Sequence, residues 1–342
     1  MNNITTCLQA GRTAVIGYSG AGKSSLISLL IGMEPPTAGE VRFQSPVADS
    51  SKQLPVFWVP QDGGLWPHLT SEEHLAAVLT QNTDRVSEQT DKLLQQFDLI
   101  HRRGSLPGEL SEGERSRLAV ARCLAARPAV MLMDEPLSHV DPMLTPKYWN
   151  VIRETVVAAG SSLVFATHHP EWAVGESEFV ICMKDGGIVY SGKTTDLYSN
   201  PPSAELGRFL GPLNWFDANE VEFWFGQSLG SHQTGPNADS DEQNSLPATT
   251  IEGATLWAVA DDEKRRRLDS LAGHRSLRPE EIRLQPVADG PAEVTAHRFF
   301  SSHAETQVKH VETQREKQIV HRPGRDAIRV GDRIRLLRQC DN

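Results

Sequence analysis

Short apolar runs alternate with amphipathic helical patterns over residues 1–190 of the chain. Each run is bounded by turn residues and predicts a buried strand: Thr13–Ile16, Leu54–Val59, Val130–Met133, Ser162–Thr167 and Phe179–Met183. Between them, helical spacing covers residues 24–31, 86–99, 112–126 and 148–158. Gly187–Tyr190 follows as the second strand of a hairpin that turns at Asp185-Gly186. This alternation indicates a mostly parallel sheet of the α/β class.

The segment Gly17-Tyr-Ser-Gly-Ala-Gly-Lys-Ser24 joins the first predicted strand to the first predicted helix, and it matches the phosphate-binding loop pattern G-x-x-x-x-G-K-[ST]. Small residues let backbone N–H groups converge on a triphosphate, and the helix adds the positive end of its dipole. We expect Lys23 to contact the β- and γ-phosphates and the Ser24 hydroxyl to contact Mg²⁺. The residues predicted to bind the nucleotide are Gly17, Ser19, Gly20, Ala21, Gly22, Lys23, Ser24 and Ser25.

Polar side chains follow three other predicted strands at their carboxyl ends, where open α/β sheets bind ligands. These are Gln61, the pair Asp134-Glu135 and His168. Two adjacent carboxylates can divide the work, one holding Mg²⁺ through water and the other polarising an attacking water. A histidine at this edge can contact a γ-phosphate, although a lone one is more often structural.

Ser111-Glu-Gly-Glu114 has the capping-box form S-x-x-E, so a helix over residues 112–126 is expected to begin there. Its first turn then displays the positive end of the helix dipole.

Composition limits the classes of function. A chain of 342 residues suggests about two domains. The net charge of -10 creates no field that attracts nucleic acid or an anionic membrane. Its 4 cysteines have no metal or redox spacing, which fits a reducing cytosol. No apolar run approaches the roughly 20 residues that cross a bilayer, and the N-terminus lacks the layout of a signal peptide. A role at a membrane would therefore need another chain to supply the span.

Taken together and in this order, the motifs resemble those of the ATP-binding cassette (ABC) ATPases, in particular the subunits of bacterial import systems. Leu110–Glu114 is similar to the family's LSGGQ signature in degenerate form, which separates ABC proteins from P-loop kinases and GTPases. The other matches are Gln61 with the Q-loop glutamine, Asp134 and Glu135 with the Walker B aspartate and catalytic glutamate, Ser138–Asp141 with the D-loop, and His168 with the switch histidine. The signature departs from the family at Glu112 and Glu114, where Gly and Gln are usual.

The resemblance implies roles for these residues. Catalysis is assigned to Glu135, His168 and Gln61, and Mg²⁺ to Ser24, Gln61 and Asp134. Ser111, Gly113 and Asp141 join the nucleotide contacts, and Ser111 and Gly113 would contact the γ-phosphate that Lys23 of a second copy holds.

The resemblance also implies a domain organisation. Residues 1–212 would form the P-loop ABC nucleotide-binding domain, with a helical subdomain at about 68–128 and an antiparallel β part that is shortened at the N-terminus. Residues 213–342 would form a small all-β, OB-like accessory domain of the TOBE type, indicated by Leu277–Leu284 and Gly331–Leu336. The polar stretch at about 226–248 predicts a loose loop.

The implied function is that of an ATPase subunit that dimerises around two ATP molecules with Mg²⁺ and drives a separate membrane permease. It would be cytoplasmic, on the inner face of the plasma membrane, and would depend indirectly on a substrate-binding protein. The segment Gly63–Leu75 is the expected permease contact, with Trp66 and Leu69 as apolar anchors. Nucleic acid is not an expected partner.

Two alternatives stay open. A soluble ABC protein that acts on nucleic acid or ribosomes would typically carry paired cassettes or a long inserted arm, and neither is present in the sequence. A catalytically weak regulatory cassette is favoured by Glu112 and opposed by the retention of Glu135, Gln61 and His168.

Overall fold

The computed structural model describes residues 4–42, 54–79, 86–225, 275–324 and 328–339. The chain divides into two compact units between Thr194 and Thr195, and each is described by itself. Residues 195–212, which the sequence assigns to the nucleotide-binding domain, group with the second unit. The predicted loose loop at about 226–248 lies outside the described residues.

The first unit contains a six-stranded sheet and the helices that connect its strands. Its strands are β1 (Arg12–Ile16), β2 (Val56–Val59), β3 (Val130–Asp134), β4 (Ser162–Thr167), β5 (Phe179–Lys184) and β6 (Gly187–Lys193). Its helices are α1 (Lys23–Leu30), α2 (Ser71–Ala76), α3 (Val86–Gln96), α4 (Glu112–Ala126), α5 (Thr145–Ala159) and α6 (Pro170–Glu176), with single 3₁₀ turns at Ile100–Arg102 and Pro107–Glu109. A further helix, α7 (Thr194–Ser199), begins at the boundary between the units.

The strand order is β2-β3-β4-β1-β5-β6, and every pairing except that of β5 with β6 is parallel. The register aligns Val59 with Met133, Asp134 with Ala166 and Ile16 with Thr167. Because parallel strands point the same way, the loops that follow β1, β2, β3 and β4 leave from one edge of the sheet. This edge is where ligands bind in sheets of this kind.

The core of the first unit explains the apolar runs in the sequence. The central strands are buried along nearly their whole length, as in parallel sheets that are covered on both faces. Leu26, Ile27 and Leu30 of α1 pack on the sheet in a cluster with Val15 and Leu132. The helix that follows the phosphate-binding loop is therefore anchored to β1 and β3, two of the strands whose ends carry the site.

The predicted elements agree with the observed ones to within a few residues. The helix predicted at 86–99 ends at Gln96, because Asp98 adopts a left-handed φ of 54° that does not continue a helix. The predicted hairpin is confirmed, and Asp185 and Gly186 both have positive φ, 49° and 76°, as a tight two-residue turn requires.

The second unit is dominated by antiparallel β structure. Its strands are β7 (Asn214–Phe216), β8 (Arg275–Leu277), β9 (Ile282–Pro286), β10 (Ala292–Phe299), β11 (Ala304–His310), β12 (Glu316–His321) and β13 (Arg333–Arg338), and its further helices are α8 (Ala204–Phe209) and α9 (Ala218–Phe225). Five strands form a sheet in the order β12-β11-β10-β13-β9, and β7 pairs with β8. Alternate residues such as Ala292 and Val294 enter the core, so one face of this sheet is buried.

None of the helices within the described ranges is long and apolar enough to cross a membrane.

Candidate functional site

The loop between β1 and α1 has the backbone conformation that its glycines allow. Gly20 and Gly22 have φ of 80° and 99°, values that L side chains rarely adopt. Gly22 is also the N-cap of α1 and offers no side-chain oxygen to the first turn of that helix. The N–H groups of this turn are therefore available to an anion such as a phosphate.

The Lys23 side chain is hydrogen-bonded to the backbone of this loop. Its Nζ donates to the carbonyl oxygens of Gly17 at 2.9 Å and Tyr18 at 3.4 Å, and the side chain is buried. A buried ammonium that is hydrogen-bonded to neutral carbonyl groups is suited to a negatively charged ligand, because desolvation strengthens the attraction.

Asp134 and Ser24 bring two oxygen ligands together below the loop. Ser24 and Asp134 both line the cavity beside this loop, and Asp134 is buried at the end of β3. Burial raises the pKa of Asp134 and the neighbouring Glu135 raises it further, while the Ser24 hydroxyl and Lys23 oppose the increase. Carboxylate and hydroxyl oxygens are the ligands that Mg²⁺ prefers, so these two residues fit that cation.

Contacts with Ala166 and His168 fix the orientation of Glu135. Its N–H donates to Ala166 of β4 at 3.0 Å, and its φ of 51° is rare for a glutamate. Its Oε1 lies 2.8 Å from Nδ1 of His168, and its Oε2 accepts from the His168 N–H at 3.3 Å. The carboxylate is therefore buried and oriented, whereas His168 remains more than half exposed.

These groups surround one open cavity of about 490 Å³. This volume lies in the range of small-molecule sites. Its lining residues are Ser19, Gly20, Gly22, Lys23, Ser24, Ser25, Gln61, Asp134, Glu135 and His168. The structure thus brings together the phosphate-binding loop and the residues that follow β2, β3 and β4. Gly17 and Ala21 form part of the loop backbone, whereas Ser111, Gly113 and Asp141 do not line this cavity.

The segment at Ser111 forms the predicted capping box. The Ser111 hydroxyl accepts from the N–H of Glu114 at 3.2 Å, and the Glu114 carboxylate accepts from the N–H of Ser111 at 2.8 Å. Burial alone would raise the pKa of Glu114, but the hydrogen bonds from Ser111 and Arg102 lower it to about 2. The carboxylate at this position therefore stabilises the start of α4.

The first turn of α4 also contacts the segment Ser138–Asp141 of the same chain. A Cβ on Gly113 would lie 2.8 Å from the carbonyl oxygen of His139, so a larger residue requires a backbone shift. Glu112 is 69% exposed, and its carboxylate lies 3.5 Å from Nδ1 of His139 and 3.9 Å from Arg115. Sequence analysis missed both contacts. No local pattern relates His139 to Glu112, whereas the i,i+3 spacing of Glu112 and Arg115 on a helix could have indicated the second contact.

A phosphate-binding loop after β1, a carboxylate pair at the end of β3 in the same parallel sheet and an oxygen-rich cavity define a P-loop nucleotide-binding domain. Residues 1–138 match a protein-family model described as "ABC transporter". The first unit therefore has the P-loop ABC ATPase fold.

Known relatives extend this similarity. The chain is 34% identical over 218 residues to the "Fe(3+) ions import ATP-binding protein FbpC" of Brucella melitensis, covering 62% of each chain. It is 33% identical over 226 residues to a protein of that name from Yersinia enterocolitica, covering 64% of this chain and 65% of the relative. The chain therefore matches less than two thirds of the length of these relatives.

Solved structures are more distant. One described as "Structure of ATP binding subunit of ABC transporter" is 24% identical and covers 55% of this chain and 80% of its own, with a TM-score of 0.48.

Proposed function

We propose that the chain is the ATP-hydrolysing subunit of an ABC import system. The observation that supports this most directly is the placement of Glu135. Its buried carboxylate is oriented by His168 in the same cavity as Lys23 and the Ser24–Asp134 pair. This arrangement supplies the positive charge, the ligands for a cation and the base that phosphoryl transfer to water requires.

The residues divide the chemistry between them. Lys23 and the first turn of α1 bind the phosphates and neutralise their charge. Glu135 orients a water and accepts its proton, and His168 holds this carboxylate in place through Nδ1. Ser24 and Asp134, with Gln61 at the cavity wall, would hold Mg²⁺, which when bound supplies further charge neutralisation at the phosphates.

A second copy of the chain would complete the site. Ser111 and Asp141 are exposed and lie outside the cavity of their own chain, and Gly113 lies in the first turn of α4. The positive end of the α4 dipole is therefore available to the γ-phosphate of a nucleotide held by another copy. This supports a homodimer that encloses two ATP molecules.

The membrane partner would bind the segment Gly63–Leu75. Trp66 of this segment is 38% exposed, and aromatic residues of this kind dominate protein interfaces. A permease that contacts this surface would hold the chain at the cytoplasmic face of the plasma membrane, with a substrate-binding protein as an indirect partner. Because the relatives are named for Fe(3+) import, ferric iron is the first cargo to test.

Phosphate release and self-association of the purified full chain test this proposal. We expect phosphate release from ATP with Mg²⁺, and a dimer that forms with ATP but not with ADP. Added RNA or ribosomes should leave the rate unchanged. If the chain neither hydrolyses ATP nor dimerises with it, the proposal is wrong, and strong stimulation by RNA would support the soluble ABC alternative instead.

A change of Glu112 to Gly or Gln is expected to increase ATP-dependent dimerisation. The carboxylate lies in the first turn of α4, where it offsets the positive charge that the second copy's γ-phosphate would meet. Its weak pairing with Arg115 and His139 and its high exposure leave most of that charge in place. Dipole effects of about 0.3–1 kcal/mol correspond to a gain of roughly two- to fivefold.

Sedimentation of the Glu112 variants with ATP, and their hydrolysis rates, provide the measurement. Glu88→Gln is the matched control, since Glu88 is an exposed carboxylate in the first turn of α3. Equal dimerisation in the wild type and both Glu112 variants would show that this carboxylate does not oppose closure.

A further inference from the structure

Arg122 of α4 is a buried cation that is held by backbone carbonyl groups. Only 3% of the residue is exposed. Its Nη1 donates to the carbonyl oxygen of Gly64 at 2.8 Å and its Nη2 to that of Gly63 at 3.0 Å. Among the described residues, no carboxylate forms an ion pair with it. Burying a charged guanidinium costs free energy, and no carboxylate within the described ranges offsets that cost here. This indicates that Arg122 positions the groups around it.

The guanidinium of Arg122 also contacts aromatic rings on both sides of Gln61. Its central carbon lies 4.6 Å from the ring centre of Trp66 and 5.6 Å from that of Phe57. Phe57 belongs to β2, whose end precedes Gln61, and Trp66 follows it. The Arg122 side chain therefore contacts the chain both before and after Gln61, which lines the nucleotide cavity.

The turn between these contacts has little freedom to move independently. Gly63 and Gly64 have φ of 80° and 53°, and the Gly63 N–H donates to the carbonyl oxygen of Pro60 at 2.9 Å. A Cβ on Gly64 would lie 2.8 Å from Pro60, and one on Gly63 would lie 3.2 Å from Ala119 of α4. The turn is therefore packed against α4 and closed by the two hydrogen bonds from Arg122.

Trp66 is fixed in turn by His74 of α2. The backbone N–H of Trp66 donates to Nε2 of His74 at 2.8 Å, so Nδ1 of His74 carries the proton and donates to the carbonyl oxygen of Thr70 at 2.8 Å. The two rings stack with their centres 5.5 Å apart. One face of the Trp66 indole therefore packs against His74, while 38% of the residue is exposed and available to a partner.

We propose that Arg122 is a positioning residue that couples the exposed surface at Trp66 to Gln61 in the nucleotide cavity and to the start of α4 at Ser111. The coupling rests on the proposed function, in which Trp66 contacts a permease. Residues 112–122 form one continuous stretch of α4, which spans about 16 Å at 1.5 Å per residue. A displacement of Trp66 therefore moves Gln61 through the glycine turn and moves the first turn of α4 through Arg122.

Arg122→Met tests the coupling in the purified full chain, because methionine retains much of the side-chain volume but neither donates hydrogen bonds nor carries charge. We expect kcat for ATP hydrolysis to fall about tenfold, while the affinity for ATP stays within about twofold, because the phosphate-binding loop is unchanged. Arg122→Lys retains a charge but has no planar fork to bind both carbonyl groups, so it should recover thermal stability and not kcat.

Arg278→Met is the matched control. Arg278 of the second unit is also only 3% exposed, donates to the carbonyl oxygens of Tyr198 at 2.8 Å and Gly207 at 3.1 Å, and lies 4.0 Å from the ring centre of Tyr198. Its replacement should change thermal stability without the loss of kcat. A purely structural role for Arg122 would produce the same profile for Arg278→Met and Arg122→Met, and that result would overturn the proposal.

A double-mutant cycle with Trp66→Ala provides the second readout. If Arg122 and Trp66 act in one coupled unit, the double variant should lose no more of kcat than the worse single variant. Losses that multiply would overturn the coupling. Failure of the wild type to hydrolyse ATP would instead reject the proposed function, so the two failures are distinguishable.

Discussion

Glu135→Gln is expected to lower the rate of ATP hydrolysis by about 10²- to 10⁴-fold, the usual contribution of a general base, while ATP binding is retained. Glutamine has the size of glutamate and can still accept from the backbone N–H of His168, whose nitrogen lies 3.3 Å from Oε2 of Glu135. It cannot take a proton from water. Because bound ATP would then be hydrolysed only slowly, we also expect an ATP-bound dimer to accumulate.

Single-turnover phosphate release and ATP titration measure the two effects separately. Glu171→Gln is the control, since Glu171 is an exposed carboxylate that forms a similar contact with Nδ1 of His169 at 3.2 Å. Its hydrolysis rate should equal that of the wild type. Wild-type hydrolysis by Glu135→Gln would show that another group accepts the proton.

The fold of the first unit could be predicted because its central strands are buried on both faces. Such strands are continuous apolar runs in the sequence, and β4 has the predicted bounds Ser162–Thr167. Parallel strands then place the residues that follow them at one edge, so the proximity of Asp134, Glu135 and His168 follows from topology alone. The predicted P-loop ABC ATPase fold is confirmed by the match to residues 1–138.

Other features depend on contacts between distant positions that no local pattern encodes. Arg122 and Gly64 are 58 residues apart, and the sequence around either does not indicate that they are hydrogen-bonded. Glu135 has a φ of 51°, a conformation that glutamate does not favour and that the neighbouring sequence does not predict. The catalytic and nucleotide-binding roles of the site residues remain predictions.

Lys23→Met is expected to weaken ATP binding by roughly 10- to 150-fold, since hydrogen bonds to charged groups contribute about 1.5–3 kcal/mol. The ammonium has two effects in this structure. It supplies positive charge in a buried setting, and it closes the loop through the carbonyl oxygens of Gly17 and Tyr18. Methionine is similar in length and preserves the packing, but it provides neither effect.

Lys23→Arg separates charge from geometry. Arginine keeps the charge, but its planar fork is larger than an ammonium and does not match the two carbonyl groups that Nζ now contacts. We therefore expect ATP affinity between those of the wild type and Lys23→Met, with hydrolysis strongly reduced in both variants because transition-state charge is misplaced.

Lys147→Met is the control for the loss of a lysine. Lys147 is half exposed, pairs with Asp98 and lies outside the cavity lining, so its replacement should leave ATP affinity and hydrolysis unchanged. Calorimetric titration of ATP with Mg²⁺ into the four proteins gives the comparison. If Lys23→Met binds ATP as tightly as Lys147→Met, the phosphates are held by groups other than Lys23, and the binding mode inferred from the loop is wrong.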